Sequence, residues 1–451
     1  MTRVLRWGTG ILVVLLLTAA AARADEVTDW NRTMLRIGLV ANTSPLNMTR
    51  TAAMVQAAVF DAINGIDRRY TPVRVAPGAS AGASRRAAIA QAAYVILSKL
   101  YGAGGTFTPN QQATLDSRLT AALVDIGYHE SPAAIKAGTD WGQTVADQIW
   151  TWRSGDGFNT QAPTFTGSTV VGQWRPTPND PYPGTSTNGV GFPQYSSQTP
   201  WAIDHPSQFR PSGPYALGTP EYAADFNETK SKGSQTSATR TPDETLYSWF
   251  WNTGTSTYLW NNAALQLLAR RDDDHDGRDD RDRDGWWGEG HHHDELLENA
   301  RVLALLDVSM ADAAIGCFDA KYFYTAWRPI TAIREAANDG NSATEPDAAW
   351  KPLFATPGHP EYPSGHSCLS GAAAGVLIHE FRNRVHFELT SDLMLGVTRS
   401  YRSLSQALDE MINARVFAGI HFRKACEDGT ELGKSVAEFV IANKFQRVSW
   451  H

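Results

Sequence analysis

"PEYPSGHSCLSGAAAGVLIHEF", residues 360–381, sets Pro363, Ser364, Gly365 and His366 directly before a run of small and apolar residues. The run Ser367 to Phe381 reads as a helix. Ser364 suits its N-cap, and the proline before it disfavours any earlier turn. A helix start exposes main-chain N–H groups and the positive end of the macrodipole, so it suits an oxyanion. Gly365 lets such an anion approach the main chain closely. His366, in the first turn, could move a proton beside it. A capped helix with an exposed histidine is the plainer reading of the same residues, so the rest of the chain has to decide.

Helical texture extends outward from this stretch in both directions. Segments 49–65, 84–101, 109–126 and 131–153 place Ala, Leu, Ile and Val at three- and four-residue spacing, with Gly, Pro and Ser clusters between them. From 156 to 240 the texture turns to Pro, Gly, Ser, Thr and Tyr without a sustained period, and its aromatics argue for a packed excursion over a surface. Thr241-Pro242-Asp243-Glu244 then marks a helix start, with a threonine cap, proline first and glutamate third. No strand alternation persists. The expected fold is all-α: two packed helical bundles with a long irregular loop excursion. The expected divisions are an N-terminal bundle half over 25–155, a covering loop over 156–240 and a C-terminal bundle carrying the site over 241–451.

Residues 1–24 join Arg3 and Arg6 to the apolar stretch Ile11–Ala22 and a small-x-small step before Asp25. That is the pattern of a secretory signal, so the mature chain is expected to be exported to a periplasm or beyond. Nothing else reaches the apolar length of a membrane span. The net charge of −7 carries no basic footprint for nucleic acid. The three cysteines, Cys317, Cys368 and Cys426, are too few for a disulfide scaffold and read as small buried packing residues, although one pair could bridge in an oxidising compartment.

Much of the negative charge is concentrated in residues 272–285, which hold eight Asp and three Arg. Asp272, Asp274 and Asp276 precede Gly277, and Asp280, Asp282 and Asp284 precede Gly285. Alternate carboxylates before a turn glycine resemble half of a calcium loop, but Arg283 stands where the closing glutamate belongs. A shared Ca2+ site and a solvated charged loop both remain open. "HHHDE" at 291–295 reads as a polar helix start rather than a zinc site.

Two further segments bear on the opening question. In "KYFYTAWRP", 321–329, Lys321 and Arg328 are seven apart, which on one helix puts both on nearly the same face, with Pro329 as its kink or end. In "ARVFAGIHF", 414–422, Arg415 and His421 are six apart, about 120° off a shared helical face. A bend near Gly419 or the long arginine side chain must make up the difference. Three cations on otherwise apolar segments call for an anion.

The order Lys-x6-Arg-Pro, then Pro-Ser-Gly-His, then Arg-x5-His resembles the signature of the vanadium-dependent haloperoxidases and type 2 phosphatidic-acid-phosphatase-like acid phosphatases. "AAVFDAING", "FRPSGP", "EYAADFNETK" and "CFDAKYFYTAWRPITAI" are similar to segments of the secreted bacterial haloperoxidase-like branch. The resemblance implies vanadate held by Lys321, Arg328, Ser364, Gly365 and Arg415, with His421 as the vanadium ligand and His366 as acid–base partner. Lys321 would help to activate hydrogen peroxide, which oxidises halide to hypohalous acid. His359 stands where bromide-favouring members resemble this chain in having histidine. On the alternative reading the same pocket serves a soluble acid phosphatase, in which His421 attacks a phosphomonoester and forms a phosphohistidine. A non-catalytic anion- or calcium-binding protein is the third class. A homodimer is compatible with all three.

Two residues depart from the pattern. Ala414 precedes Arg415 where the phosphatases usually have serine. Ala425 replaces the carboxylate expected four residues after His421, leaving Glu427 or Asp428 as substitutes to orient that imidazole.

Overall fold

The computed structural model describes residues 25–160, 165–177, 191–253, 255–276, 290–391 and 393–448. The signal-like segment 1–24 lies outside them. Within the described residues the chain forms thirteen α-helices and one two-stranded hairpin, so the all-α expectation holds. The first five helices are α1 Glu26–Val40, α2 Pro45–Asp67, α3 Arg85–Tyr101, α4 Gln112–Gly127 and α5 Pro132–Ser154. They are followed by α6 Pro220–Gly233, α7 Pro242–Thr253, α8 Ser256–Asp276 and the 35-residue α9 Gly290–Tyr324. The C-terminal set is α10 Pro329–Arg334, α11 Gly365–Phe381, α12 Leu404–Phe417 and α13 Arg423–Asn443. The hairpin, β1 Phe387–Thr390 against antiparallel β2 Thr398–Tyr401, closes the α11–α12 connection.

Helix α9 organises the packing. It lies against α2 on one side and against α11 and α13 on another, and the main apolar core runs from Val27 in α1 to Val440 in α13. Alanine-rich α2 (Ala52, Ala53, Ala57, Ala58 and Ala62, all fully buried) allows close helix approach. The α11–α13 crossing is tighter still: a Cβ on Gly433 would stand 2.1 Å from the Cys368 carbonyl oxygen, and one on Gly371 2.3 Å from that of Thr430. No side chain fits there. The contact therefore places the start of α13 beside the start of α11.

Local signals behave as read. Thr241 and Glu244 form the reciprocal cap of α7: Glu244 N–H donates to Thr241 Oγ1 at 3.2 Å and Thr241 N–H to Glu244 Oε2 at 2.7 Å. The excursion over 156–240 differs in one respect, because it contains α6 and a short 3-10 turn, Pro193–Ser197. It wraps the chain on either side of the anion-site motifs. Trp327 N–H donates to the Gly172 carbonyl at 3.0 Å, Gly191 N–H to the Gly358 carbonyl at 2.8 Å, and Gly213 N–H to the Tyr362 hydroxyl at 3.2 Å.

The acidic repeat is not a loop where it is described. The main chain of Asp272, Asp274 and Asp276 continues α8 to its end, whereas alternating ligands around one ion require a turn. Asp280, Asp282 and Asp284 lie outside the described residues. Among the described residues no cluster of three or more His, Cys, Asp or Glu could hold a metal ion. No described helix is long and apolar enough to cross a membrane.

Candidate active site

The site forms where the start of α11, the end of α9, the end of α7 and the α12–α13 turn converge. Ser364 caps α11, its Oγ accepting from Ser367 N–H at 3.5 Å, and its own N–H donates to the Ala425 carbonyl at 2.8 Å. Gly365 is the first helical residue, and a Cβ built on it would meet nothing within 4 Å, so open space lies directly before its main chain. First-turn amides of a helix have no intrahelical acceptor and carry the positive end of its dipole; that of Ser367 is taken here by the Ser364 cap.

Lys321 and Arg328 do not share a helical face, contrary to the seven-residue reading. Helix α9 ends at Tyr324, Thr325 turns left-handed (φ 50°), and Arg328 lies on the extended segment that caps α10, with Pro329 as the first residue of that new helix. The turn still carries both cations inward, and both are fully buried. Lys321 Nζ donates to the Pro360 carbonyl at 2.9 Å, to the Glu361 carbonyl at 3.0 Å and to the Pro363 carbonyl. An ammonium has three N–H groups, so all are committed to shaping the loop that carries the motif. Burial lowers its pKa to about 8.

Arg328 spreads its fork across the site. Nε donates to the His359 carbonyl at 2.9 Å and Nη1 to the Ile420 carbonyl at 2.8 Å. Nη1 also lies 3.2 Å from His421 Nε2, and Nη2 lies 3.1 Å from His359 Nδ1. Burial pulls its pKa down to about 10 against the opposing charge of Glu361.

Arg415 and His421 meet because their helix stops between them. Helix α12 ends at Phe417, and Gly419 reverses the chain at φ 75°. A Cβ at Gly419 would lie 2.5 Å from the Gly233 carbonyl oxygen and 2.8 Å from the Trp350 ring, so the turn needs glycine for both conformation and space. The 120° mismatch of the six-residue spacing is thereby removed.

Arg415 is buried under the Phe354 ring, 5.6 Å from its centroid. Its Nη1 reaches Asn252 Oδ1 only at 3.5 Å, and its buried Nε has no hydrogen-bond partner. Burial lowers its pKa to about 9. A buried guanidinium with a donor to spare, beside open space at a helix start, fits a multiply charged oxyanion.

His421 is 2 % exposed, and its Nδ1 lies 2.8 Å from Glu361 Oε1, which also accepts from Phe422 N–H at 3.1 Å. Glu361 is therefore the carboxylate that orients the imidazole. Asp428, offered by the sequence for that role, instead bonds the Tyr362 hydroxyl and pairs with Lys424 at 2.8 Å. Glu427, the other candidate, is likewise not its partner, since the Nδ1 position is taken by Glu361. Burial, then the charges of Arg328, Lys321 and Arg415, hold His421 well below the usual histidine range. The neutral ring donates from Nδ1 to Glu361, and its Nε2 lone pair faces Arg328. Burial raises Glu361 to about 7 against the pull of Arg328 and Lys321.

His366 and His359 are also held well below the ordinary range, chiefly by burial. For His366 the charge of Arg415 adds to that effect, and the Trp251 main chain opposes it. His359 packs against Phe318, ring centroids 5.3 Å apart. All seven motif residues and His359 thus belong to one cluster, in which Lys321, Arg328, Ser364, Arg415 and His421 are buried and Gly365, His366 and His359 half-buried. Glu361, Asn252 and Trp251 join them without having been read from the sequence.

Residues 301–449 match the family model described as the vanadium chloroperoxidase second helical-bundle domain. A crystal structure of a bacterial vanadium-dependent iodoperoxidase superposes with a TM-score of 0.73 at 23% identity, covering 94% of this chain and 97% of that one. The chain has the vanadium-dependent haloperoxidase fold. A holo-type bacterial vanadium-dependent chloroperoxidase superposes over the same shares at a TM-score of 0.65 and 16% identity. In sequence, the vanadium chloroperoxidase of Curvularia inaequalis is 32% identical over 97 residues, 19% of this chain and 15% of that enzyme. The haloperoxidase fold therefore extends over nearly the whole described chain, while the close sequence match is confined to a short part.

Proposed function

We propose that the chain is a vanadate-dependent haloperoxidase, oxidising halide with hydrogen peroxide to hypohalous acid. The observation that carries this reading is Arg415, buried with an unpartnered Nε and set with Arg328 and the start of α11 around His421. Among the described residues no carboxylate pairs with that charge, and vanadate would neutralise it. Arg415, Arg328 and the first-turn amides of α11 would hold the oxyanion, and His421 would offer the Nε2 lone pair that Glu361 orients. Bound vanadate supplies a Lewis-acidic centre at which peroxide becomes reactive towards halide. His366, neutral and on the first turn of α11, would exchange a proton with an oxygen of the bound group. Lys321 adds positive charge from behind the loop that it shapes.

The structural relatives support peroxide and halide as substrates, since those named are an iodoperoxidase and a chloroperoxidase. We favour bromide over chloride. Lys321 commits its three N–H groups to carbonyls and Arg328 shares one with His359, which leaves fewer free donors to polarise the oxidant. A weaker oxidant takes the more easily oxidised halide.

The test begins with chelator-stripped protein, to which orthovanadate is returned. Bromination of a β-diketone dye with peroxide should then rise at least ~100-fold and vanish in His421→Ala, while an aryl phosphate is left intact. Phosphate release without vanadate, inhibited when vanadate is added, would instead establish the phosphohistidine chemistry. Binding without either turnover would leave an anion-binding protein.

A further inference from the structure

The carboxylate that orients His421 also lines a separate cavity of about 50 Å3, to which His421 does not contribute. Half-buried Tyr215 and Leu217 form its apolar mouth, and buried Trp327 and Phe422 its inner wall. Glu361 is 2 % exposed, and its Oε1 is taken by His421 Nδ1 and the Phe422 N–H. Its Oε2 accepts from no donor among the described residues. Asp225 lines the same cavity, half-buried, and its carboxylate accepts from the Lys424 N–H at 2.9 Å.

Among the described residues no lysine or arginine pairs with either carboxylate. Lys424, on the cavity wall, pairs with Asp428 at 2.8 Å and lies over the Tyr215 ring, 4.7 Å from its centroid. Arg423 gives its Nε and Nη2 to Glu228 at 2.7 and 2.6 Å. Lys321 and Arg328 stand beyond Glu361, with their N–H groups committed to carbonyls and histidines. Two carboxylates facing one desolvated recess are costly unless a positive charge joins them, and water brings none. No described cluster of three or more His, Cys, Asp or Glu could hold a metal ion. An acidic floor beneath an apolar, aromatic mouth suits an ammonium head on a hydrocarbon stem.

We propose that this recess binds a primary alkylammonium ion, its N–H groups donating to Glu361 Oε2 and Asp225 and its stem lying between Tyr215 and Leu217. The site stands independently of the halogenating activity, so its test omits vanadate, peroxide and halide oxidation.

Titration calorimetry of the full-length protein with butylammonium chloride, against sodium chloride of equal ionic strength, checks it. The pH is set at 8, above the values of about 7 for Glu361 and about 6 for Asp225, where a primary amine is still charged. One equivalent is expected to bind, at least ~10-fold more weakly in Asp225→Asn. Tetramethylammonium, which has no N–H to donate, is expected to bind at least ~10-fold more weakly to wild type. Absence of saturable binding overturns the proposal, as does equal affinity for tetramethylammonium or in Asp225→Asn. Should that variant fail to fold, a crystal structure of wild type grown with butylammonium decides. Nitrogen within hydrogen-bond distance of Glu361 Oε2 and Asp225 supports the site, and nitrogen elsewhere overturns it.

Discussion

Replacing Glu361 by alanine is expected to lower vanadate-dependent halogenation by about 100-fold, and replacement by glutamine by about 10-fold. The carboxylate does two things at once: it accepts from His421 Nδ1 at 2.8 Å and from Phe422 N–H at 3.1 Å. Alanine leaves both donors buried without an acceptor and frees the ring to turn or change tautomer, so that Nε2 no longer presents a lone pair. Glutamine keeps an oxygen in place and loses only the charge. The gap between the two variants therefore separates position from charge. Steady-state assay across vanadate concentrations checks it, and the loss should appear in vanadate affinity as well as in kcat. Equal and small effects from both variants would show that His421 needs no partner.

The second large effect is expected at Gly419. Alanine there must adopt φ 75° and place its Cβ 2.5 Å from the Gly233 carbonyl oxygen and 2.8 Å from the Trp350 ring. The opposing wall is main chain and a buried indole, so little can yield. A cost of about 3–5 kcal/mol in folding stability follows, together with displacement of His421 from Arg328. Thermal unfolding of Gly419→Ala against wild type measures the first, and halogenation by whatever folded protein remains measures the second. Wild-type stability and activity in this variant would mean that the turn between α12 and α13 does not set the site.

Both positions show where sequence reasoning reaches and where it stops. Ser364, Gly365 and His366 were legible because capping and helix entry are decided within a few residues. Glu361 stood in the same quoted stretch, but its role depends on His421, 60 positions away in the chain. No local pattern carries that pairing, and nearness in number to His421 points instead to Asp428 and Glu427, neither of which bonds its Nδ1. Lys321 and Arg328 both point inward, but across a turn and not along one helical face. The apolar residues between them suggested one continuous helix, and nothing in "YTAW" announces the left-handed Thr325 that ends it.

Helix α6 was missed within the Pro- and Gly-rich excursion although it begins as α7 does, with a threonine cap followed by proline, Thr219-Pro220. Its polar composition and 14-residue length gave no sustained apolar period, yet the start signal was present. The overall class was easier. Eleven of the thirteen described helices share one core and leave their three- and four-residue spacing over most of the chain, and one short hairpin does not disturb it.

The central claim is that Arg328, Arg415 and His421 enclose a single tetrahedral oxyanion at the start of α11. Titration calorimetry with orthovanadate on the chelator-stripped protein tests it most directly. One equivalent is expected to bind to wild type, with affinity lost at least ~100-fold in Arg415→Ala and in His421→Ala. Undiminished binding in both variants would place the anion elsewhere and contradict the account.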